Sequence, residues 1–171
     1  MKIVLVGYMG SGKTTVGKIL SKELGINFLD LDNYIEESLE MTISDIFKHK
    51  GELFFRKKEH EYLKEVLTKK NNFILSTGGG TPCYGNNMDT ITENTSDVFY
   101  LKVSIPGLIE RLSKEKETRP LIKDLSKEDF PEFLGKHLFE RSPYYSRANH
   151  KIVSDKKTPK DIVAEIKLLL G

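Results

Sequence analysis

The chain has 171 residues, a length that predicts one domain with a substantial core. Its 27 Lys and Arg nearly balance 25 Asp and Glu to give a net charge of +2, which disfavours nucleic acid and acidic membrane surfaces as partners. It has no apolar run as long as a membrane span and no signal-peptide pattern, and its single cysteine, Cys83, excludes an internal disulfide, so we expect a cytoplasmic protein.

Short apolar segments alternate with helical ones along the chain. Strands are predicted over residues 2–6, 27–29, 73–76, 98–103 and 151–153. Helical spacing is predicted over residues 13–24, 32–70, 105–114 and 159–170. Strands separated by helices are typical of a parallel sheet with right-handed crossovers on both faces. The sequence therefore predicts a three-layer α/β/α fold around a five-stranded parallel sheet, with residues 1–171 as one domain.

A glycine-rich stretch follows the first strand. Residues 7–14 read GYMGSGKT, which matches the phosphate-loop pattern GxxxxGK[ST]. Glycines let backbone N–H groups approach phosphate oxygens, and the following helix adds its N-terminal N–H groups. Lys13 supplies a charge for the β- and γ-phosphates, and the Thr14 hydroxyl suits Mg²⁺. A plain turn is the alternative, but the flanking strand and helix favour nucleotide binding. The predicted contacts are Gly10, Ser11, Gly12, Lys13, Thr14 and Thr15.

Two carboxylates end the second strand in the stretch FLDLD. Asp30 and Asp32 are two residues apart, so in an extended strand both would point to one face, at the carboxyl edge where the phosphate loop lies. We expect one carboxylate near Mg²⁺ and the other near an acceptor hydroxyl. The alternative is that they cap the helix that begins near Asn33.

Three successive glycines, Gly78, Gly79 and Gly80, end the third strand. Bare backbone at this edge indicates a ligand that approaches closely, and a flexible turn is the alternative. The stretch lacks the Asp that ends an ordinary Walker B strand, which makes Asp30 the candidate for the metal carboxylate.

Four arginines are candidates for binding anions, because a guanidinium holds carboxylate or phosphate in a bidentate way. Arg56 precedes Glu59 by three residues, a spacing that is also typical of a surface ion pair on a helix. Arg119 lies in the charged stretch 113–130, which we interpret as a lid or as an ordinary solvated loop. Arg141 and Arg147 lie near the tyrosine pair Tyr144–Tyr145. Basic residues beside aromatics also occur in RNA-binding proteins, but the balanced charge disfavours that reading.

Taken in order, the stretches GYMGSGKTT, FLDLD, FRKKE, STGGG, RPL and ERSPYY resemble the shikimate kinase family, within the nucleoside monophosphate kinase group of phosphate-loop proteins. The resemblance spans nearly the whole chain. It implies phosphorylation of shikimate to 3-phosphoshikimate by ATP with one Mg²⁺ ion, a step toward aromatic amino acids. It also implies a substrate-binding insertion at about 33–60 and a lid at about 113–130.

The resemblance further implies a role for each matching residue. The catalytic residues would be Lys13, Asp32 and Arg119. The metal would be held by Thr14 and Asp30. Shikimate would be bound by Asp32, Arg56, Gly78, Gly79, Gly80 and Arg141. Besides the phosphate loop, ATP would be bound by Arg111, Arg119, Lys157 and Pro159. In this pattern Asp32 binds acceptor hydroxyls and accepts a proton, while Arg56 and Arg141 grip the shikimate carboxylate.

Two alternatives stay open on the sequence alone. A gluconate or nucleotide kinase of the same fold would share the phosphate loop. A non-catalytic nucleotide-binding relative would be expected to lose the loop lysine or the Asp pair, and both are present. The four histidines lack metal-ligand spacing, so we expect structural or solvent-facing roles for them. With no evident excess of exposed apolar residues, we expect a monomer whose partners are ATP and shikimate.

Overall fold

Five parallel strands form the centre of the molecule in a computed structural model that describes residues 1–171. The strands are β1 (Lys2–Val6), β2 (Asn27–Asp30), β3 (Phe73–Ser76), β4 (Asp97–Lys102) and β5 (His150–Val153). Their order across the sheet is β2-β3-β1-β4-β5, and every neighbouring pair is parallel. The predicted α/β fold is confirmed, and each strand begins and ends within one residue of the sequence prediction.

Helices cover both faces of the sheet. They are α1 (Lys13–Leu24), α2 (Leu31–Leu39), α3 (Ile43–Lys50), α4 (Glu52–Thr68), α5 (Asn87–Asn94), α6 (Ile105–Ser113), α7 (Asp129–Tyr145) and α8 (Pro159–Leu170). Side chains alternate between the two faces of β1. Ile3 and Leu5 join the buried cluster that includes residues of α1 and α8, whereas Val4 and Val6 join the larger cluster on the other face. No helix combines the length and the apolar character that crossing a bilayer requires.

The long stretch between β2 and β3 forms three helices, where the sequence indicated one helical region. Thr42 lies between α2 and α3 and caps α3, accepting a hydrogen bond from the Asp45 N–H at 3.1 Å. Gly51, with φ +86°, separates α3 from α4. Local capping and a glycine hinge therefore divide a stretch whose polar residues gave a continuous helical pattern.

Two helices were not predicted. The polar residues of α5 gave no clear apolar period, and α7 contains Pro143 in its last turn. Proline is poorly tolerated in a helix interior, so Pro143 weakens the helical pattern of the stretch ERSPYY. Arg141, the arginine of this stretch, nevertheless lies on a regular helix.

The stretch 113–130 is more firmly packed than its charge suggested. It contains a short 3₁₀ turn at Lys116–Thr118 and ends at the start of α7. Ile122 is completely buried in the larger core cluster, and Leu125 packs against that cluster. A buried isoleucine therefore anchors the middle of a stretch whose charge is typical of a solvated loop.

Candidate active site

A cavity of about 330 Å³ opens at the carboxyl edge of β1, β2 and β3. Its lining is almost entirely polar and consists of Met9, Gly10, Gly12, Lys13, Thr14, Thr15, Asp30, Asp32, Ser76, Thr77, Gly78, Gly79, Glu115 and Arg119. The sheet order explains this meeting, since β1 and β3 are neighbours and β2 lies beside β3. The phosphate loop, the two aspartates, the lid arginine and the first two glycines of the stretch, Gly78 and Gly79, therefore face one space.

The phosphate loop turns sharply into α1. Gly10 and Gly12 have φ values of +78° and +92°, a left-handed conformation that other residues rarely adopt. Gly12 is the N-cap of α1, and no side chain caps that helix. The first N–H groups of α1 therefore have no side-chain acceptor, which suits a bound phosphate.

Lys13 is buried within its own loop. Its ammonium donates to the carbonyl oxygens of Gly7 at 2.8 Å and Tyr8 at 3.1 Å. Burial lowers the pKa of Lys13 to about 8, while the nearby Asp32 carboxylate acts in the opposite direction. The side chain is therefore still mostly charged at pH 7 and lies at the floor of the phosphate cavity.

Asp30 uses its two carboxylate oxygens for different partners. Oδ2 accepts a hydrogen bond from the Thr14 hydroxyl at 3.1 Å, and Oδ1 caps α2 by accepting from the Asn33 N–H at 3.2 Å. Asp30 therefore caps α2, as the alternative interpretation held, and also lines the cavity. A hydroxyl and one carboxylate fit Mg²⁺, which takes oxygen ligands and keeps several waters and phosphate oxygens. No cluster of three or more His, Cys, Asp or Glu offers a competing metal site.

Asp32 reaches the cavity by a route that the sequence did not indicate. The strand ends at Asp30, and Asp32 lies in the first turn of α2, so the argument from a shared strand face is wrong. A Cβ on Gly78 would lie 3.1 Å from Asp32 Oδ1, which shows how closely the glycine backbone approaches this carboxylate. Burial, followed by the charges of Asp30 and Glu59, raises the pKa of Asp32 to about 6.

Arg56 on α4 and Arg141 on α7 converge on Gly80. A Cβ built on Gly80 would lie 2.9 Å from Arg56 Nη2 and 3.2 Å from Arg141 Nη2. The absence of a side chain at this glycine leaves room for both guanidinium groups. Two cations that share one small space form a site for a carboxylate or another planar anion.

Arg56 is fixed on several sides. Its Nη1 donates to Glu59 Oε1 at 2.8 Å, and its Cζ lies 3.7 Å from the centre of the Tyr84 ring. Glu59 is only 1% exposed, and its Oε2 accepts from the Thr81 hydroxyl at 2.8 Å. The predicted spacing of Arg56 and Glu59 is thus present, but the pair is largely buried and is no surface ion pair. Sequence reasoning missed Thr81 and Tyr84, which belong to no motif used above.

The remaining predicted nucleotide residues lie in two places. Arg119 lines the cavity and donates through Nε and Nη2 to Glu115 Oε2, at 3.0 and 2.6 Å. Arg111 lies behind the phosphate loop and donates to the Ser11 carbonyl at 3.2 Å. Lys157 is paired with Glu165 at 2.5 Å, and Pro159 is the first residue of α8. Several predicted site residues do not line the 330 Å³ cavity: Ser11, Arg56, Gly80, Arg111, Arg141, Lys157 and Pro159. Arg56 lines a second cavity together with Tyr84.

Known proteins match this chain over nearly its whole length. A family model described as shikimate kinase matches residues 9–170. A shikimate kinase of Flavobacterium psychrophilum is 52% identical over 169 residues, which cover 99% of this chain and 98% of that protein. The crystal structure of shikimate kinase from Bacteroides thetaiotaomicron has a TM-score of 0.89 at 34% identity, covering 99% of this chain and 96% of that one. Shikimate kinase from Acinetobacter baumannii in complex with shikimate has a TM-score of 0.87 at 35% identity, covering 99% and 92%.

Proposed function

Because the chain belongs to the shikimate kinase family and phosphorylates a hydroxyl of shikimate with ATP, we propose that the two substrates meet in the cavity at the carboxyl edge of the sheet. The observation that carries this proposal is the convergence of Arg56 and Arg141 on Gly80. It offers a carboxylate site beside the aspartates and the phosphate loop.

The phosphate loop binds the ATP phosphates in this proposal. The N–H groups at the start of α1 face the phosphate oxygens, and Lys13 leaves its carbonyl partners for the β- and γ-phosphates. Thr14 and Asp30 would hold Mg²⁺, which when bound neutralises charge on the phosphate oxygens. These groups lower the barrier chiefly by positioning and by stabilising the charge of the transferring phosphoryl group.

Asp32 receives the proton of the acceptor hydroxyl. As the hydroxyl oxygen forms a bond to the γ-phosphorus, the bond from that phosphorus to the bridging oxygen breaks and ADP leaves. The hydroxyl proton passes to Asp32. A pKa of about 6 leaves this carboxylate mostly ionised at neutral pH and more basic than an ordinary aspartate, which suits a proton acceptor.

Arg56 and Arg141 hold the carboxylate of shikimate and so fix the ring relative to Asp32. We assign the region 33–60 as the substrate-binding insertion and 113–130 as the lid. Closure of the lid would exchange the Arg119–Glu115 ion pair for contacts between Arg119 and the phosphates. A single-domain organisation, a monomeric state, a cytoplasmic location and the adenine contacts of Arg111, Lys157 and Pro159 stay predictions.

A coupled assay of ATP consumption tests the acceptor. Shikimate should support turnover, whereas gluconate and nucleoside monophosphates should support little, because the chain belongs to the shikimate kinase family. Turnover that is equal with gluconate would contradict the assigned acceptor site. The loss of turnover with all acceptors would support the alternative of a non-catalytic nucleotide-binding protein.

A further inference from the structure

Three residues spaced four apart on α7 lie on one face of the helix: His137, Arg141 and Tyr145. The middle residue belongs to the proposed carboxylate site, and each outer residue makes a hydrogen bond to a different ligand-binding loop. The Tyr8 hydroxyl and His137 Nδ1 are joined at 2.7 Å, and the Tyr145 hydroxyl donates to the Gly79 carbonyl at 2.5 Å. Arg141 is therefore flanked by two contacts, one turn before it and one turn after it.

The first contact ties α7 to the phosphate loop. Tyr8 is 2% exposed, and its ring meets the His137 ring edge to face with centroids 5.3 Å apart. The Arg141 Cζ lies 6.0 Å from the centre of the same tyrosine ring, while the Tyr8 carbonyl accepts from Lys13. One residue thus contacts the phosphate-binding lysine through its backbone and α7 through its side chain. Burial and the Arg141 charge lower the pKa of His137 to about 4, so the ring is neutral at pH 7.

The second contact ties α7 to the glycine stretch. Tyr145 is completely buried, and its ring packs on Tyr100 of β4 with centroids 5.2 Å apart. Its acceptor, the Gly79 carbonyl, belongs to the glycine whose Cβ would lie 3.5 Å from Arg141 Nη1. The position of α7 is therefore set relative to the backbone that lines the cavity.

Arg141 depends on these contacts because no acidic side chain holds it. Arg56 is bound by Glu59, whereas Arg141 makes no ion pair. A free guanidinium suits a residue that must bind an incoming carboxylate. It also leaves the placement of the group to its helix and to the ring beneath it.

We propose that the Tyr8–His137 and Tyr145–Gly79 hydrogen bonds are positioning contacts that hold Arg141 at the distance from the phosphate loop and the glycine stretch that shikimate requires. This inference rests on the proposed carboxylate site. Tyr8, His137 and Tyr145 contact neither substrate in this scheme and act through Arg141. Their loss should therefore weaken shikimate binding and spare ATP.

Single substitutions remove each contact at little cost in volume. Each of the variants Tyr8→Phe, His137→Leu and Tyr145→Phe should raise the KM for shikimate about three- to tenfold, which is the effect of losing one neutral hydrogen bond. The kcat and the KM for ATP should stay within about twofold of wild type. His137→Asn keeps a polar atom near the position of Nδ1, so this matched variant should restore the KM for shikimate to within about twofold.

Double variants separate shared from independent contacts. Tyr8→Phe with His137→Leu removes the two halves of one bond, so the KM for shikimate should rise no further than in the worse single variant. Tyr8→Phe with Tyr145→Phe removes two bonds on opposite sides of Arg141, so the two factors should multiply. A multiplied loss in the first double variant, or failure of His137→Asn to restore the KM, would overturn the assigned Tyr8–His137 contact.

Arg141→Ala, assayed alongside, distinguishes this inference from the site on which it rests. If Arg141→Ala raises the KM for shikimate while Tyr8→Phe and Tyr145→Phe lower only the melting temperature, the carboxylate site stands and the positioning role is wrong. An equal rise in the KM for ATP in the tyrosine variants would also refute the role. If Arg141→Ala itself leaves the KM for shikimate unchanged, the proposed carboxylate site fails and the inference fails with it.

Discussion

Replacing Arg141 by alanine tests the carboxylate site with the least disturbance to the fold, because this side chain makes no ion pair with the protein. Arg56 is bound to Glu59, whose side chain is 1% exposed. Arg56→Ala would therefore leave a buried carboxylate underpaired and lower the free energy of unfolding by about 3 kcal/mol. Arg141→Ala leaves no such partner, so its effect should appear in shikimate binding.

The expected loss follows from the groups that remain in the pocket. Without Arg141, the carboxylate of shikimate would face only Arg56, which already donates to Glu59 at 2.8 Å. Removing one partner from a partly desolvated charge pair costs about 2–5 kcal/mol of binding, which is at least about thirtyfold in Kd. Arg147 provides a matched control, since it is 47% exposed and pairs with Asp89 at the surface. Arg147→Ala should leave the Kd for shikimate unchanged.

Titration calorimetry with shikimate and with its neutral carboxamide measures the contribution of the charge directly. Wild type should bind the acid far more tightly than the amide, and Arg141→Ala should discriminate much less between the two. The Kd for MgADP should stay within about twofold of wild type in Arg141→Ala and Arg147→Ala, because the loss of affinity concerns shikimate alone. An Arg141→Ala protein that keeps the full wild-type preference for the acid would show that the carboxylate is held elsewhere.

Four further predictions concern the metal, the acceptor proton, the charge of Asp32 and the lid. Asp30→Asn should lower kcat strongly and raise the Mg²⁺ concentration needed for half-maximal activity, with the Kd for shikimate little changed; normal turnover at limiting Mg²⁺ would contradict the metal assignment. Asp32 has a pKa raised to about 6, so kcat/KM should fall as the pH drops through that value and the carboxylate takes up a proton. The pKa of Asp32 is higher in the folded protein than in the unfolded chain, so this group favours the fold at low pH and loses that contribution as the pH rises through 6. Asp32→Asn should therefore raise the melting temperature at pH 8 but not at pH 4. Equal melting temperatures of wild type and variant at pH 8 would argue against a buried charge at this position. Hydrogen exchange over residues 113–130 should slow when MgADP and shikimate are both bound, as Arg119 leaves Glu115 for the phosphates; identical exchange with and without the ligands would refute the closing motion.

The core of the fold was predictable because its elements carry strong local patterns. The run Ile3-Val4-Leu5-Val6 is apolar on both faces, as a central parallel strand requires, and α8 carries a clear helical period with Pro159 at its first position. The phosphate loop was predictable because glycine, lysine and hydroxyl groups are fixed relative to one another within eight residues. Local order in the chain sets the local geometry in each of these cases.

The features that the sequence did not indicate depend on contacts between distant segments. The spacing of Arg56 and Glu59 is typical of a surface ion pair, and no local pattern shows that Glu59 is buried. Its burial depends on the contact with Thr81 and on the packing of α4. Asp32 was expected on the same strand face as Asp30, but the strand ends at Asp30, which caps α2, and Asp32 lies in that helix. The contact of Tyr8 with His137 joins residues 129 positions apart. Tyr8 stands at a variable position of the phosphate-loop pattern and His137 belongs to no motif, so neither spacing nor period indicates that they meet.

The sheet order also bears on how enzymes of this architecture can acquire new acceptors. The phosphate loop follows the central strand β1, whereas β2 lies at an edge, and the crossover that leaves it carries α2, α3 and α4. An edge crossover can lengthen, shorten or exchange helices without displacing another strand. The phosphate loop and the crossover that carries Asp32 and Arg56 are thus separable units of inheritance, and selection can replace this crossover while the phosphate loop is preserved.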